Sequence, residues 1–227
     1  MKLRTNDTIN ILRSFPKIKL SYIKTIYKKV SSANLYYLIP KGTKHFAWFR
    51  YFKNKECCLL MEIGKGNSIK NIKIINCCFK SELCYKKGTI VYGTLFKKNN
   101  INFFSIEDIF YYKNINFSES TLQNKLKCID TIFQIEIKQM ILNNNDTVFG
   151  LPIMSTSRET IEKYFNNPPY QFYTLQHRYN NNNNTYFNEY IKNYEKVFLV
   201  KPHIINDIYK LYVKNKKDTI TFYKYAL

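Results

Sequence analysis

Glycine and proline are scarce in this 227-residue chain, six of each, histidine is rarer at three, and 16 acidic residues face 36 lysines and arginines. Each shortage excludes something. The few glycines form no GxGxxG and no GxxxxGK[ST], so the familiar phosphate-binding loops are absent. There is no HExxH, and the six cysteines include two adjacent pairs, Cys57-Cys58 and Cys77-Cys78, instead of pairs two residues apart. The usual zinc spacings are therefore missing, and no metal and no cofactor are expected. Lys or Asn interrupts every apolar run well before the roughly 20 residues that span a bilayer, which predicts a soluble protein without a membrane partner.

What is abundant is apolar and basic. Hydrophobic residues make up 45% of the chain, enough for a sizeable core, and one domain over 1–227 is expected. The sequence reads as having no secretory leader and its size does not demand staples, so a reduced, cytoplasmic compartment is expected. Cys57, Cys58, Cys77, Cys78, Cys84 and Cys128 then read mainly as buried strand residues. The formal charge of +20 favours polyanions such as RNA, although Lys, Asn, Ile, Tyr and Phe are also what an AT-rich coding sequence supplies.

Along the chain, Ile18, Tyr22, Ile26 and Val30 recur four apart, which predicts a basic amphipathic helix over 17–30 within an N-terminal segment, 1–30, that docks on the rest of the domain. LYYLIP, KGTK and HFAWFRYF read as strand, turn and strand, and KNKE leads into CCLLMEI. NIKIINCCF, GTIVYGTLF and INFFSIEDIFYY are further strands, separated by lysine, glycine and asparagine turns. Leu122, Leu126, Ile129, Phe133, Ile137 and Ile141 predict a long helix from Ser118 to Leu142 with Ser118 as its cap. Beyond it come a short VFGLPIM strand, a helix opened near Ser157, PPYQFYTLQHRY, an asparagine-rich loop, and three strands at the end. The fold class expected is α+β: twisted antiparallel sheets with helices outside and a cleft between sheets.

Five segments in order carry a resemblance. Phe15-Pro16 precedes Ile39-Pro40-Lys41-Gly42-Thr43-Lys44; then come Thr89-Ile90-Val91-Tyr92-Gly93-Thr94-Leu95, Phe104 to Tyr112 with NFSESTLQNKL after it, Tyr173 to Arg178, and Phe198-Leu199-Val200-Lys201-Pro202. Over about residues 15 to 225 the chain resembles the covalent nucleotidyltransferases, most closely the nucleotidyltransferase domain of mRNA-capping guanylyltransferases. Their strand-turn K-x-D-G-x-R carries the lysine that attacks the α-phosphate of GTP. Here Gly42 and the basic Lys44 match that motif, but Ile39 stands where the lysine belongs and Lys41 where the aspartate does. Moving the register to make Lys41 the nucleophile loses the glycine. Tyr92 and Thr94 replace the acids of the D-G-E motif, and Tyr173 to Arg178 supplies no metal-binding aspartate.

The resemblance thus implies the fold without the chemistry, a snurportin-like form: not an enzyme, no catalytic residue, no metal. It implies binding of capped RNA or a guanine nucleotide by Lys41, Lys44, Trp48, Tyr92, Thr94, Arg178 and Lys201, in mRNA processing or translation of the kind a large cytoplasmic DNA virus performs. Trp48 would stack on a base, unless its strand face turns into the core. Asp108 is expected to orient a basic residue, and His45 and His177 read as surface or edge positions. The alternatives are a divergent nucleotidyltransferase or RNA ligase using Lys41 or Lys44, and a protein-interaction scaffold in a transcription or RNA-processing complex.

Overall fold

Runs of β-branched and aromatic residues broken by lysine and asparagine turns give strands over nearly half of the chain. The computed structural model describes residues 3–20, 24–26, 33–143, 145–180, 186–191, 199–205, 207–214 and 220–226. In chain order the strands are β1 (Lys24–Ile26), β2 (Leu35–Pro40), β3 (Thr43–Phe52), β4 (Lys55–Ile63), β5 (Ile69–Ile75), β6 (Cys78–Phe79), β7 (Thr89–Lys98), β8 (Ile101–Tyr112) and β9 (Ile115–Asn116). They continue as β10 (Ile137–Lys138), β11 (Thr147–Gly150), β12 (Ile153–Ser155), β13 (Phe172–Arg178), β14 (Tyr186–Tyr190), β15 (Leu199–Pro202), β16 (Tyr209–Lys214) and β17 (Ile220–Ala226). The helices are α1 (Thr5–Ser14), α2 (Leu122–Thr131) and α3 (Arg158–Glu162). The architecture is α+β, mostly antiparallel.

The sequence reading takes 1–227 as one domain; the chain packs as two compact units, Met1–Ile191 and Lys192–Leu227. The second holds a three-stranded antiparallel sheet, β15-β16-β17. The first holds a seven-stranded sheet in the order β11-β8-β7-β3-β4-β5, with β9 beside β8, and a five-stranded sheet in the order β1-β14-β13-β2-β12. Among the described residues, only the β8–β11 and β1–β14 pairs are parallel. β6 and β10 form a separate antiparallel pair.

Both large sheets are covered on both faces, and strand alternation sorts their side chains. On β2, Leu35, Tyr37 and Ile39 pack with Leu122 of α2, while Tyr36 and Leu38 pack with Ile161 of α3 and Leu175. On β3, Ala47 and Phe49 join the cluster under α2 that includes Phe104, Ile129 and Phe149. Phe46 and Trp48 face the other way, onto Ile11 of α1 and the Phe15, Ile18 and Leu20 just beyond it. Hairpin turns fall where asparagine tolerates a left-handed backbone: Lys53-Asn54, Asn99-Asn100 and Lys113-Asn114 all have positive φ, as tight two-residue hairpins require.

Three expectations are corrected. The amphipathic reading of 17–30 gives way to α1 at Thr5–Ser14; residues 17–20 are irregular, 24–26 form β1, and 21–23 and 27–30 lie outside the described residues. Of the fourfold set, Ile18 packs together with Leu20 on the seven-stranded sheet from an irregular segment, and Tyr22 and Val30 lie outside the described residues. The helix expected over 118–142 ends at Thr131, passes through a π turn at Ile132–Glu136, and becomes β10. Thr131, Ile132, Ile135 and Ile137 are β-branched and crowd a helix, and the edge of β6 takes their place in the ladder: the Lys80 amide donates to the Glu136 carbonyl at 2.8 Å. The cap is Thr121, whose hydroxyl accepts from the Asn124 amide, and not Ser118. Ser157 does cap α3.

Candidate functional site

Lys44 lies beside the turn between β2 and β3 and is paired in register with Thr94 of β7, so both side chains stand on one face of the seven-stranded sheet. Tyr92, two residues along β7, shares that face. The neighbouring strand β8 carries a bulge: Gly93 pairs with Ile106 and Tyr92 with Asp108, leaving Glu107 without a partner position on β7. Opposite the bulge only glycine fits, since a Cβ on Gly93 would lie 2.0 Å from the Ser105 carbonyl oxygen. The extra residue delivers Glu107 to Lys44, whose Nζ donates to the carboxylate at 2.6 and 2.7 Å and to Thr94 Oγ1 at 2.8 Å. The Thr94 hydroxyl in turn donates to Glu107.

The five-stranded sheet supplies the opposing groups. Lys44 Nζ sits 5.6 Å from the Tyr92 ring and 5.9 Å from that of Tyr173 on β13. Arg178, also on β13, lies between the rings of Tyr37 and Tyr186 at 4.8 and 4.9 Å, with Nε donating to Gln176 Oε1 at 2.7 Å. Asp108 holds Lys125 of α2 at 3.0 Å and stands 3.9 Å from Arg178, so it does orient basic residues. The cluster sets three cations, Lys44, Lys125 and Arg178, against two carboxylates, Glu107 and Asp108, which leaves one positive charge over.

Beside this cluster is a cavity of about 890 Å³, bounded by Lys44 and Tyr92, by Tyr186 of β14, by Ile18, Lys19 and Leu20, and by the β4–β5 connection at Ile63, Gly64, Gly66 and Asn67. Burial lowers the Lys44 pKa from its ordinary value, an effect the Glu107 carboxylate partly offsets. Burial raises the phenols of Tyr92 and Tyr173, with Glu107 adding to the effect, and takes Tyr186 up to about 12. At neutral pH the walls therefore present neutral aromatic rings, together with the lysine side chains of Lys44 and Lys19, to whatever enters.

Of the residues the sequence singled out, Lys44 and Tyr92 line the cavity, Thr94 bonds Lys44, and Arg178 packs on the lining Tyr186. The others go elsewhere. Trp48 is 2% exposed, packed edge-on by Phe15 at 5.3 Å, covered by the Arg50 guanidinium at 4.1 Å, and its Nε1 donates to the Lys87 carbonyl at 2.8 Å. In this structure both its face and its donor are taken up inside the core. Lys41 is exposed and lines a different recess. Lys201 belongs to the second unit, on β15.

His45 and His177 are corrected from surface to buried positions. His45 Nδ1 lies 3.0 Å from the Thr43 carbonyl oxygen, and His177 Nε2 lies 2.8 Å from the Glu189 carboxylate while its Nδ1 is buried without a hydrogen-bond partner among the described residues. The cysteines are all free thiols; Cys57 and Cys58 are buried on β4, Cys84 and Cys128 are buried outside strands, and Cys77 and Cys78 are half-buried. No group of three or more His, Cys, Asp or Glu suited to a metal occurs among the described residues, and no helix among them is long and apolar enough to cross a membrane.

Sequence reasoning missed Glu107, Lys125, Tyr173 and Tyr186 as members of the cluster. Strand alternation places Glu107 and Asp108 on opposite faces, and only the bulge, which has no motif of its own here, turns each toward a cation. No protein-family model matches the sequence, and no curated protein matches it.

Proposed function

We propose that the cavity beside Lys44 binds a guanine nucleotide or the capped 5′ end of an RNA without turning it over. The observation that carries this reading is the grouping of Lys44, Tyr92 and Tyr186 on a cavity of about 890 Å³, within the roughly 300–1,000 Å³ typical of small-molecule sites. Aromatic walls suit a purine ring and the Lys44 and Lys19 side chains on the wall suit phosphate. The strand order supports the resemblance to capping guanylyltransferases: β2 turns into β3, β7 lies beside β3, β8 beside β7, and β13 beside β2. Ile39, in the position of the missing nucleophile, is buried in an apolar cluster with Leu35, Tyr37 and Leu122, which leaves no amine there to form a phosphoramide.

Equilibrium dialysis against m7GTP and GTP at low and raised salt tests this reading. Saturable binding that persists at raised salt and weakens in Lys19→Glu, an exposed residue on the cavity wall, is expected; absence of saturable binding overturns it.

One observation favours a second reading. Lys44 is a partly buried lysine with a lowered pKa on a cavity wall, a setting in which lysines act as nucleophiles. Against it, Glu107 and Thr94 hold the Nζ in place as a hydrogen-bond donor, which ties up the amine. Incubation with radiolabelled GTP or ATP and a divalent cation, with the products run on a denaturing gel, is expected to give no labelled band. A band that disappears in Lys44→Met establishes catalysis instead.

A further inference from the structure

Lys41, which the sequence singled out and the cavity does not use, borders a second groove. The groove comprises two adjoining recesses, of about 250 and 410 Å³, whose linings share Phe96, Lys98, Pro169 and Tyr170. Its inner part is aromatic: Phe96 and Phe103 stack at 5.6 Å with their planes 22° apart, and the Tyr170 ring lies 5.4 Å from Phe96. Tyr170 is fixed there, donating from its hydroxyl to the Leu38 carbonyl and accepting from the Ile153 amide, both at 2.7 Å. Its outer part carries Lys41, Lys97 and Lys98, and among the described residues no acidic one lines either part. The Lys98 ammonium donates to the Pro169 carbonyl and ties the rim, while Lys41 and Lys97 are exposed.

At the inner end stands Ser105, 4% exposed, whose Oγ has no hydrogen-bond partner. A buried hydroxyl left unpaired is costly, and a polar ligand edge reaching it removes that cost. Stacking rings, a free hydroxyl at depth and two unshielded ammonium groups outside match the three parts of a nucleotide unit: base face, base edge and phosphate.

We propose that this groove binds single-stranded nucleic acid, one base lodging against Phe96 and Phe103 while successive phosphates run past Lys41 and Lys97. Among the described residues the groove shares no lining residue with the Lys44 cavity, so the assignment stands independently of what that cavity holds.

The test is fluorescence anisotropy with a labelled, uncapped oligouridylate ending in a 5′-hydroxyl, over a salt series, on the full chain. In Lys41→Ala/Lys97→Ala the slope of log affinity against log salt should fall in magnitude by about 1.4, at roughly 0.7 per single-strand phosphate contact. A control pair of exposed lysines elsewhere, Lys55→Ala/Lys138→Ala, should leave the slope near wild type. Phe103→Leu, which keeps apolar volume but removes the ring, should weaken binding about tenfold with the slope unchanged. m7GTP affinity should be the same in all of these proteins. Equal losses from the control pair, or no effect of either groove variant, overturn the proposal and leave only general attraction to a basic surface.

Discussion

Lys44 carries its charge into a cavity wall only because Glu107, 2% exposed, meets it there. A buried pair of this kind is costly to break from one side and cheap to replace whole. Lys44→Met should therefore destabilise the protein by about 3 kcal/mol in urea unfolding, since it strands a buried carboxylate. Lys44→Met/Glu107→Leu should recover most of that loss; strictly additive losses would show that the two residues do not act as a pair. Glu189 provides a pH test. Hydrogen bonds from Arg158 and then His177 hold its carboxyl below the ordinary 4.5. Its contribution to stability is thus present above pH 4.5 and lost as pH falls through the lower, folded value. Glu189→Gln should flatten the stability profile in that acid range while leaving the shape near neutrality alone. The thiols give a third test. Burial raises Cys57 to about 11 and Cys84 and Cys128 to about 12, and Cys58 well above its ordinary value. With a thiol reagent at mildly alkaline pH, rapid reaction of the folded protein should be confined to Cys77 and Cys78; prompt reaction at four or more sites would contradict this burial.

Among the elements, most strands were legible because their turns are chemically explicit: Lys53-Asn54 and Asn99-Asn100 mark hairpins whose flanks alternate in the expected register. The spacing over 17–30 predicts a helix, but residues 17–20 are irregular and carry Ile18 and Leu20 onto a sheet, a packing that spacing alone does not distinguish from a helical one. The long helix was overextended because its apolar period continues past Thr131, whereas the backbone there is recruited by β6, a tertiary demand that no local pattern announces. Within the site, Lys44, Tyr92, Thr94 and Arg178 were named by the resemblance to capping guanylyltransferases, and Glu107 was hidden by the bulge. Both devices are open to mutation. Thr121→Ala should cost about 1 kcal/mol by removing the cap of α2, with Thr121→Ser close to neutral. Gly93→Ala places a Cβ against the Ser105 carbonyl and should cost about 2–3 kcal/mol as the bulge is forced open. A neutral Gly93→Ala would mean that the bulge is not held closed as described.

For the molecule as a whole, a formal charge of +20 ensures some attraction to any polyanion, so affinity for RNA alone distinguishes nothing. What separates a built site from a basic surface is dependence on particular side chains and indifference to salt. Part of the lysine content was readable as coding bias, and for that reason the sequence could not say which lysines matter. The fold sorts them: Lys44 is fixed inside by Glu107, while Lys41 and Lys97 lie outside on a separate groove. The central claim, that the cavity built around Lys44 holds a guanine nucleotide, is tested most directly by isothermal titration of m7GTP and GTP into wild type and into Lys44→Met/Glu107→Leu, which removes the charged pair together. Saturable binding to wild type that is lost in the double variant, with both proteins folded, is the predicted result. Equal affinity in the two proteins, or none in wild type, would contradict it.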